Sequence, residues 1–307
     1  MARFIYCKET YCYFLSIFLR NMRFIMKKTL GKYLISLMSF TVALFSVSVA
    51  ATTLDKIKDE GTVTIGVANE VPYGYTTPDG EPAGEAPSIA VKVLNDLGVD
   101  NVKVVVTEFG SLIPGLRAGR FDVIAAGMYI TPKRCKQILF SNPTYSIGEG
   151  FLVQNGNPKE LNGYDSIDSK AVKLGVMSGS VEYGYARDYG IDLSKVVTLP
   201  DYPSGVAALK SGRIDALAGT SLTMASLAQK DDRVELAQPF TPLIIKGKSV
   251  KGYGGFGFRP ADTALRDAFN AELKSFIDTK EHIAMVEPYG FGKHTSPGGM
   301  TAAKLCK

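Results

Sequence analysis

Arg134 carries the clearest chemical signal in this chain. A guanidinium is a planar fork of N–H donors that fits a carboxylate through two parallel bonds. It sits in the run GMYITPKRCKQILFSNPTY, residues 127–145, where Thr-Pro opens a helix and Lys133 reads as an ordinary surface residue. A second anion-seeking feature is the Met-Ser-Gly-Ser turn at 177–180, between an expected strand and an expected helix. Backbone N–H groups at a helix start favour anions, so Gly179 and Ser180 are candidates. The plainer alternative for Ser180 is a helix cap. Bond-breaking chemistry has little support. His282 and His294 are the only histidines and have no metal-ligand spacing. Beyond residue 50 no phosphate loop, zinc-protease, serine-hydrolase or Cys-x-x-Cys pattern occurs. No metal or cofactor is expected.

These residues need a scaffold, and the chain repeats one. GLRAGRFDVIA at 115–125 returns as ALKSGRIDALA at 208–218, with one offset linking Gly119 to Gly212 and Asp122 to Asp215. Two copies indicate two lobes of similar build, and a cleft between lobes is a usual ligand site. Apolar periodicity predicts strands at 62–67, 102–106 and 121–125, with helices at 87–97 and 111–118. The alternation restarts with strands at 171–176, 195–199 and 214–218 and helices at 180–188, 202–210 and 223–229. This predicts an α/β fold with mostly parallel sheets. Chain crossings near 148–154 and 248–255 would make one lobe of 51–151 plus 251–307 and another of 152–250.

The first 50 residues read as a leader. From Met26, the better initiator, Lys27 and Lys28 precede an apolar run ending in Ser48-Val49-Ala50, the pattern of a secretory signal peptide cleaved after Ala50. Of 35 basic and 30 acidic residues, seven and one lie in this leader, leaving 28 and 29. The basic balance therefore belongs to the leader and gives no reason to expect nucleic acid. Cys7 and Cys12 go with it. Cys135 and Cys306 remain, and export into an oxidising compartment makes a bridge between them the expectation, with two buried free thiols as the alternative.

As a set, the motifs resemble the solute-binding proteins of ABC importers for amino acids and related zwitterions. Gly127-Met128-Tyr129-Ile130-Thr131-Pro132-Lys133-Arg134, Phe140-Ser141-Asn142-Pro143-Thr144-Tyr145 and Glu70-Val71-Pro72-Tyr73 match that family's motifs, and the resemblance covers 54–293. It implies a two-lobed periplasmic binding protein fold of type II, a periplasmic monomer that is not an enzyme, and ABC permease subunits as partners. Arg134 would clamp a ligand carboxylate, helped by the 179–180 turn.

The departures narrow the ligand. Amino-acid binders of the family place an Asp where this chain has Thr220, and a Thr or Ser where it has Tyr129. No carboxylate is then in view for a primary ammonium, and a desolvated ammonium without an anion is costly. Tyr73, Phe109 and Tyr129 instead suggest a cation–π cage. With Glu70 and Arg134 this is similar to the ectoine/hydroxyectoine-binding subgroup, whose ligand combines a cyclic amidinium with a carboxylate. The Cys135 and Cys306 neighbourhoods also resemble that subgroup. Thr220 is a lesser contact by position alone. A betaine or polar amino-acid binder, and an enzyme such as cyclohexadienyl dehydratase on the same fold, are the alternatives.

Overall fold

The two repeated aspartates do the same structural work. Asp122 accepts the Thr64 backbone N–H at 3.1 Å, and Asp215 accepts that of Lys173 at 2.7 Å. Each carboxylate thereby closes the start of its own strand onto the neighbouring parallel strand. Gly119 and Gly212 both adopt positive φ just before these strands, ending the preceding helices in a left-handed turn.

The computed structural model describes residues 51–307; the leader expected at 1–50 lies outside the described residues. After α1 (Thr53–Glu60) come β1 (Thr62–Val67), a small hairpin of β2 (Tyr75–Thr76) and β3 (Pro82–Ala83), and α2 (Glu85–Asp96). Then follow β4 (Asn101–Val106), α3 (Leu112–Arg117), β5 (Val123–Tyr129), α4 (Pro132–Cys135), β6 (Leu139–Phe140) and β7 (Tyr145–Ile147). The second half runs β8 (Glu149–Gln154), α5 (Tyr164–Ser169), β9 (Leu174–Met177), α6 (Glu182–Tyr189), β10 (Val196–Leu199), α7 (Tyr202–Lys210), β11 (Ala216–Thr220) and α8 (Ser221–Ala228). It ends with β12 (Val234–Leu236) and a hairpin of β13 (Ile244–Ile245) and β14 (Lys248–Ser249). β15 (Gly252–Phe258), α9 (Thr263–Phe276), α10 (Lys280–Val286) and α11 (Ala302–Leu305) complete the chain.

Two sheets of matching plan result. One has the order β4-β1-β5-β15-β6, with β7 also paired to β15; the other has β10-β9-β11-β8-β12. In each, three parallel strands are followed by an antiparallel strand that has just crossed from the other half. These are the two lobes of the type II fold. The chain passes from one sheet to the other at Gly148 and again between Ser249 and Gly252. One apolar cluster centres on each lobe, and a third runs from Phe109 and Met128 in the first to Met177 and Tyr202 in the second.

Element edges moved where local pattern was ambiguous. The strand expected at 121–125 runs from Val123 to Tyr129, which carries the Tyr129 ring to the lobe edge. Helix α6 starts at Glu182, with Val181 as cap and no side-chain cap bond, so Ser180 does not cap it.

Glycines in β15 answer to the rings beside them. A Cβ on Gly252 would lie 1.8 Å from the Tyr129 ring. The Gly-rich strand is therefore the floor on which that ring lies.

The bridge between Cys135 and Cys306 is formed, with Cα atoms 5.6 Å apart. It ties the C-terminal helix α11 to α4, the turn that holds Arg134. Closing so long a loop stabilises by about 2–4 kcal/mol. Cys306→Ser should therefore lower the urea midpoint clearly in the mature protein; an unchanged midpoint would show that the bridge contributes nothing in solution.

Candidate functional site

Between the lobes lies a small cavity. Its walls bring together Glu70, Tyr73, Phe109, Tyr129 and Arg134 from the first lobe with Ser180, Glu182, Tyr202 and Thr220 from the second. Its free volume is about 30 Å³, space for only a couple of waters. A larger pocket of about 540 Å³ shares Phe109, Arg134, Met177, Ser180 and Val181 with it.

Arg134 is positioned by local chemistry. Pro132 starts the short helix α4, and the Thr131 hydroxyl accepts the Arg134 N–H at 3.3 Å. The guanidinium is buried, with Nη1 donating to the Tyr129 carbonyl at 2.7 Å and Nη2 to the Gly179 carbonyl at 2.9 Å. The second bond crosses between lobes. A guanidinium has five N–H donors, so three are left for other acceptors. Its carbon sits 5.4 Å from the Phe109 ring centre. One face of Phe109 thus stacks on Arg134, and Phe109 stands in the same cavity wall as Tyr73 and Tyr129.

The remaining aromatics divide cleanly. Tyr73, Tyr129 and Tyr202 are buried and line the cavity. Tyr202 was missed in the sequence because, as the first residue of α7, it reads as an ordinary core residue. Tyr145 packs behind the wall, 5.2 Å from Tyr73 and 6.2 Å from Tyr129 between ring centres, and donates its hydroxyl to the Gly127 carbonyl. Tyr145 is thus a packing residue behind the cavity wall.

The 179–180 turn behaves differently from a simple anion nest. The Ser180 N–H is used within the turn, donating to Met177. The Gly179 carbonyl, not its N–H, faces Arg134. The Ser180 hydroxyl is buried beside Glu182, whose carboxyl it helps to hold down. Gly179 has φ +76°, and a Cβ there would lie 2.5 Å from the Gly110 Cα of the other lobe. The lobes therefore meet glycine on glycine at this point.

Thr220 caps α8: its hydroxyl accepts the Thr223 N–H at 3.2 Å. The Thr223 hydroxyl then donates across the lobes to Glu70 at 2.9 Å. Glu70 is buried, and that burial pushes its carboxyl up from its usual 4.5 to about 8, against the lowering effect of the Thr223 bond.

Position 220 carries no acid, but a carboxylate that the sequence motifs did not mark, the buried Glu182, lines the cavity. A second buried acid, Glu149, stands directly across the β8–β11 ladder from Thr220, outside the cavity wall. Both Glu149 oxygens and one Glu182 oxygen lack any hydrogen-bond partner, as does the buried Tyr73 hydroxyl. Burial, then the neighbouring Glu182, pushes Glu149 well up; burial also raises Glu182, against the Ser180 hydroxyl and Arg134. No spacing signal marks either acid, because strand pairing and helix placement set their positions.

The arrangement can hold a small ligand with a carboxylate at one end and an N–H cation at the other. Residues 63–293 match the bacterial extracellular solute-binding proteins, family 3. A probable amino-acid ABC transporter periplasmic-binding protein of Sinorhizobium fredii is 40% identical over 243 residues, covering 78% of this chain and 81% of the relative. The solved structure of EhuB in complex with hydroxyectoine aligns with a TM-score of 0.75 at 35% identity, over 83% of this chain and 98% of that one. An ancestral amino acid-binding protein described as a precursor of cyclohexadienyl dehydratase aligns with a TM-score of 0.67 at 26% identity, over 78% of this chain and 99% of that one. Among the described residues no helix is long and apolar enough to cross a membrane.

Glu70 and, deeper in the first lobe, Glu85 both have carboxyls raised to about 8 by burial. The folded protein keeps protons that the unfolded chain releases above about 4.5, so this stabilisation is complete at low pH and is lost as pH rises through about 8. The thermal midpoint of the ligand-free protein should fall between pH 5 and 8, and Glu70→Gln should make that fall shallower. Identical slopes would mean that Glu70 is ionised in the folded state.

Proposed function

Because the chain belongs to family 3 of the bacterial extracellular solute-binding proteins, we propose that it captures ectoine or 5-hydroxyectoine in the periplasm and delivers it to an ABC permease. One observation carries the ligand reading: Arg134, the Tyr73 and Tyr129 rings and Glu70 converge on a single cavity. Arg134 holds the ligand carboxylate, with the Ser180 hydroxyl beside it. The rings cover the amidinium, each desolvated contact contributing about 2 kcal/mol, and Glu70 accepts from its N–H. Phe109 acts by stacking on Arg134. The likeness to the hydroxyectoine complex supports this choice of ligand.

The leader reading supports export, and the family supports a place outside the cytoplasm. Capture proceeds by closure of the two lobes on the ligand. The interlobe bonds Arg134–Gly179 and Glu70–Thr223 are the contacts that closing makes and opening breaks.

A cationic amino acid is the second reading, favoured by Glu182 in the cavity wall, which with Glu70 gives the site more acid than a zwitterion requires. Titration calorimetry against ectoine, 5-hydroxyectoine, L-arginine, proline and glycine betaine separates the readings. Ectoine or 5-hydroxyectoine should bind most tightly. Tight binding of L-arginine with none of either ectoine would overturn the ligand assignment, and turnover of a prephenate-like substrate would overturn the binding-protein reading.

Arg134→Ala removes charge-assisted bonds worth about 1.5–3 kcal/mol, so affinity should fall by roughly ten- to a hundredfold. Tyr129→Thr should weaken ectoine by roughly thirtyfold, as the loss of one desolvated ring contact implies. Wild-type affinity in Tyr129→Thr would remove that ring from the cage.

A further inference from the structure

Tyr129, Tyr145 and Tyr73 form a chain of rings, with successive centres 6.2 Å and 5.2 Å apart. Each ring rests on a glycine. A Cβ on Gly252 would lie 1.8 Å from Tyr129 Cε2, one on Gly254 2.2 Å from Tyr145 Cε1, and one on Gly127 2.4 Å from Tyr73 Cδ1. Carbon atoms make their best contact at about 3.5–4.0 Å, so no side chain fits beneath any of these rings in its present pose. The three seats differ in what surrounds the ring. Tyr145 is wholly buried, donates its hydroxyl to the Gly127 carbonyl at 2.6 Å and packs 5.1 Å from the Phe291 ring centre. Tyr73 is packed against both Tyr145 and Phe291. Tyr129 is the end of the chain. Its hydroxyl makes only a long bond, 3.4 Å to the Ile147 carbonyl, and its ring stands in the cavity wall. Tyr145, anchored behind it, blocks retreat inward. A Tyr129 ring lifted off Gly252 is therefore turned into the cavity.

We propose that Gly252 is a specificity-determining residue of this site: it sets the depth of the cavity by letting the Tyr129 ring lie back, and any side chain at 252 drives that ring into the ligand space. This rests on the cavity being the ligand site. Gly252 acts through Tyr129 and is a positioning residue. The two belong to different strands, Tyr129 at the end of β5 and Gly252 at the start of β15, where the chain re-enters the first lobe opposite Ile147. An aromatic residue at 129 thus demands glycine at 252, whereas a small residue at 129 leaves room for a side chain there. The pair works as one unit that chooses between a ring-lined wall and an aliphatic or polar one. A rigid cyclic ligand lying against Tyr129 is the class most sensitive to that choice, because it cannot bend away from an advancing ring. A flexible acyclic ligand can.

A double-mutant cycle of Gly252→Ala, Tyr129→Thr and the two combined, titrated with ectoine and L-arginine, tests the pairing. Gly252→Ala should weaken whichever ligand the wild type binds by about tenfold or more, as overpacking a filled site does. In the Tyr129→Thr background the same change should cost less than about threefold, because the clash is gone. A glycine with only a structural role would instead lower the thermal midpoint equally in both backgrounds and leave affinity unchanged; that result overturns the proposal. Where both ligands bind, the loss should be greater for cyclic ectoine than for flexible L-arginine, and equal losses overturn the specificity claim. If Gly252→Ala does not fold, a folded double variant upholds the clash and an unfolded one overturns it. If L-arginine binds, ectoine does not, and the coupling is present, the ectoine reading falls and the role of Gly252 stands. If ectoine binds and Gly252→Ala costs the same in both backgrounds, the role of Gly252 falls and the ectoine reading stands. If neither binds, the midpoints decide: a loss confined to the Tyr129 background upholds the pairing and an equal loss overturns it.

Discussion

A guanidinium buried among carboxylates is the constraint around which the rest of this molecule is arranged. Arg134 cannot be left dry without acceptors, because an unpaired buried charge is among the costliest features a fold can hold. Two backbone carbonyls, Tyr129 from its own lobe and Gly179 from the other, meet part of that demand. The bond to Gly179 exists only when the lobes are together. The charge proposed to recognise a ligand is thus also one that bonds the two lobes together.

The scaffold serves that closure by keeping side chains out of the way at the seams. Gly179 meets Gly110 with no room for a Cβ, and Gly252 lies flat beneath the Tyr129 ring. The crossing strands β8 and β15 carry this burden together, since each leaves one lobe and joins the sheet of the other. β8 begins at Glu149, across the ladder from Thr220 of the cavity wall, and β15 supplies the floor under Tyr129. The disulfide at Cys135, one residue after Arg134, fastens the C-terminal helix to the same turn.

Much of this was readable from residue order. The repeat around Asp122 and Asp215 foretold two lobes, because a carboxylate closing the start of a strand is a local device and leaves a local trace. Arg134, Glu70, Tyr73 and Tyr129 were legible because family-like motifs flank them. Phe109 was readable as a cleft residue from its motif, and only packing shows that Arg134 lies over one of its faces. The Ser180 cap failed because a helix start is uncertain by a residue or two, and here that shift leaves the hydroxyl beside Glu182.

Sequence alone determined the lobed α/β architecture, the carboxylate-seeking Arg134 and the Cys135–Cys306 pairing, since each depends on residue type at short range or on simple counting. Tertiary structure alone decided the charge of the cleft. Thr220 reads as the loss of an acid, yet its neighbour across the ladder is Glu149, and Glu182 arrives from the start of another helix. These residues are 71 and 38 positions away from Thr220 along the chain. Cross-strand register and helix placement bring them together, and neither leaves a periodic mark in the sequence.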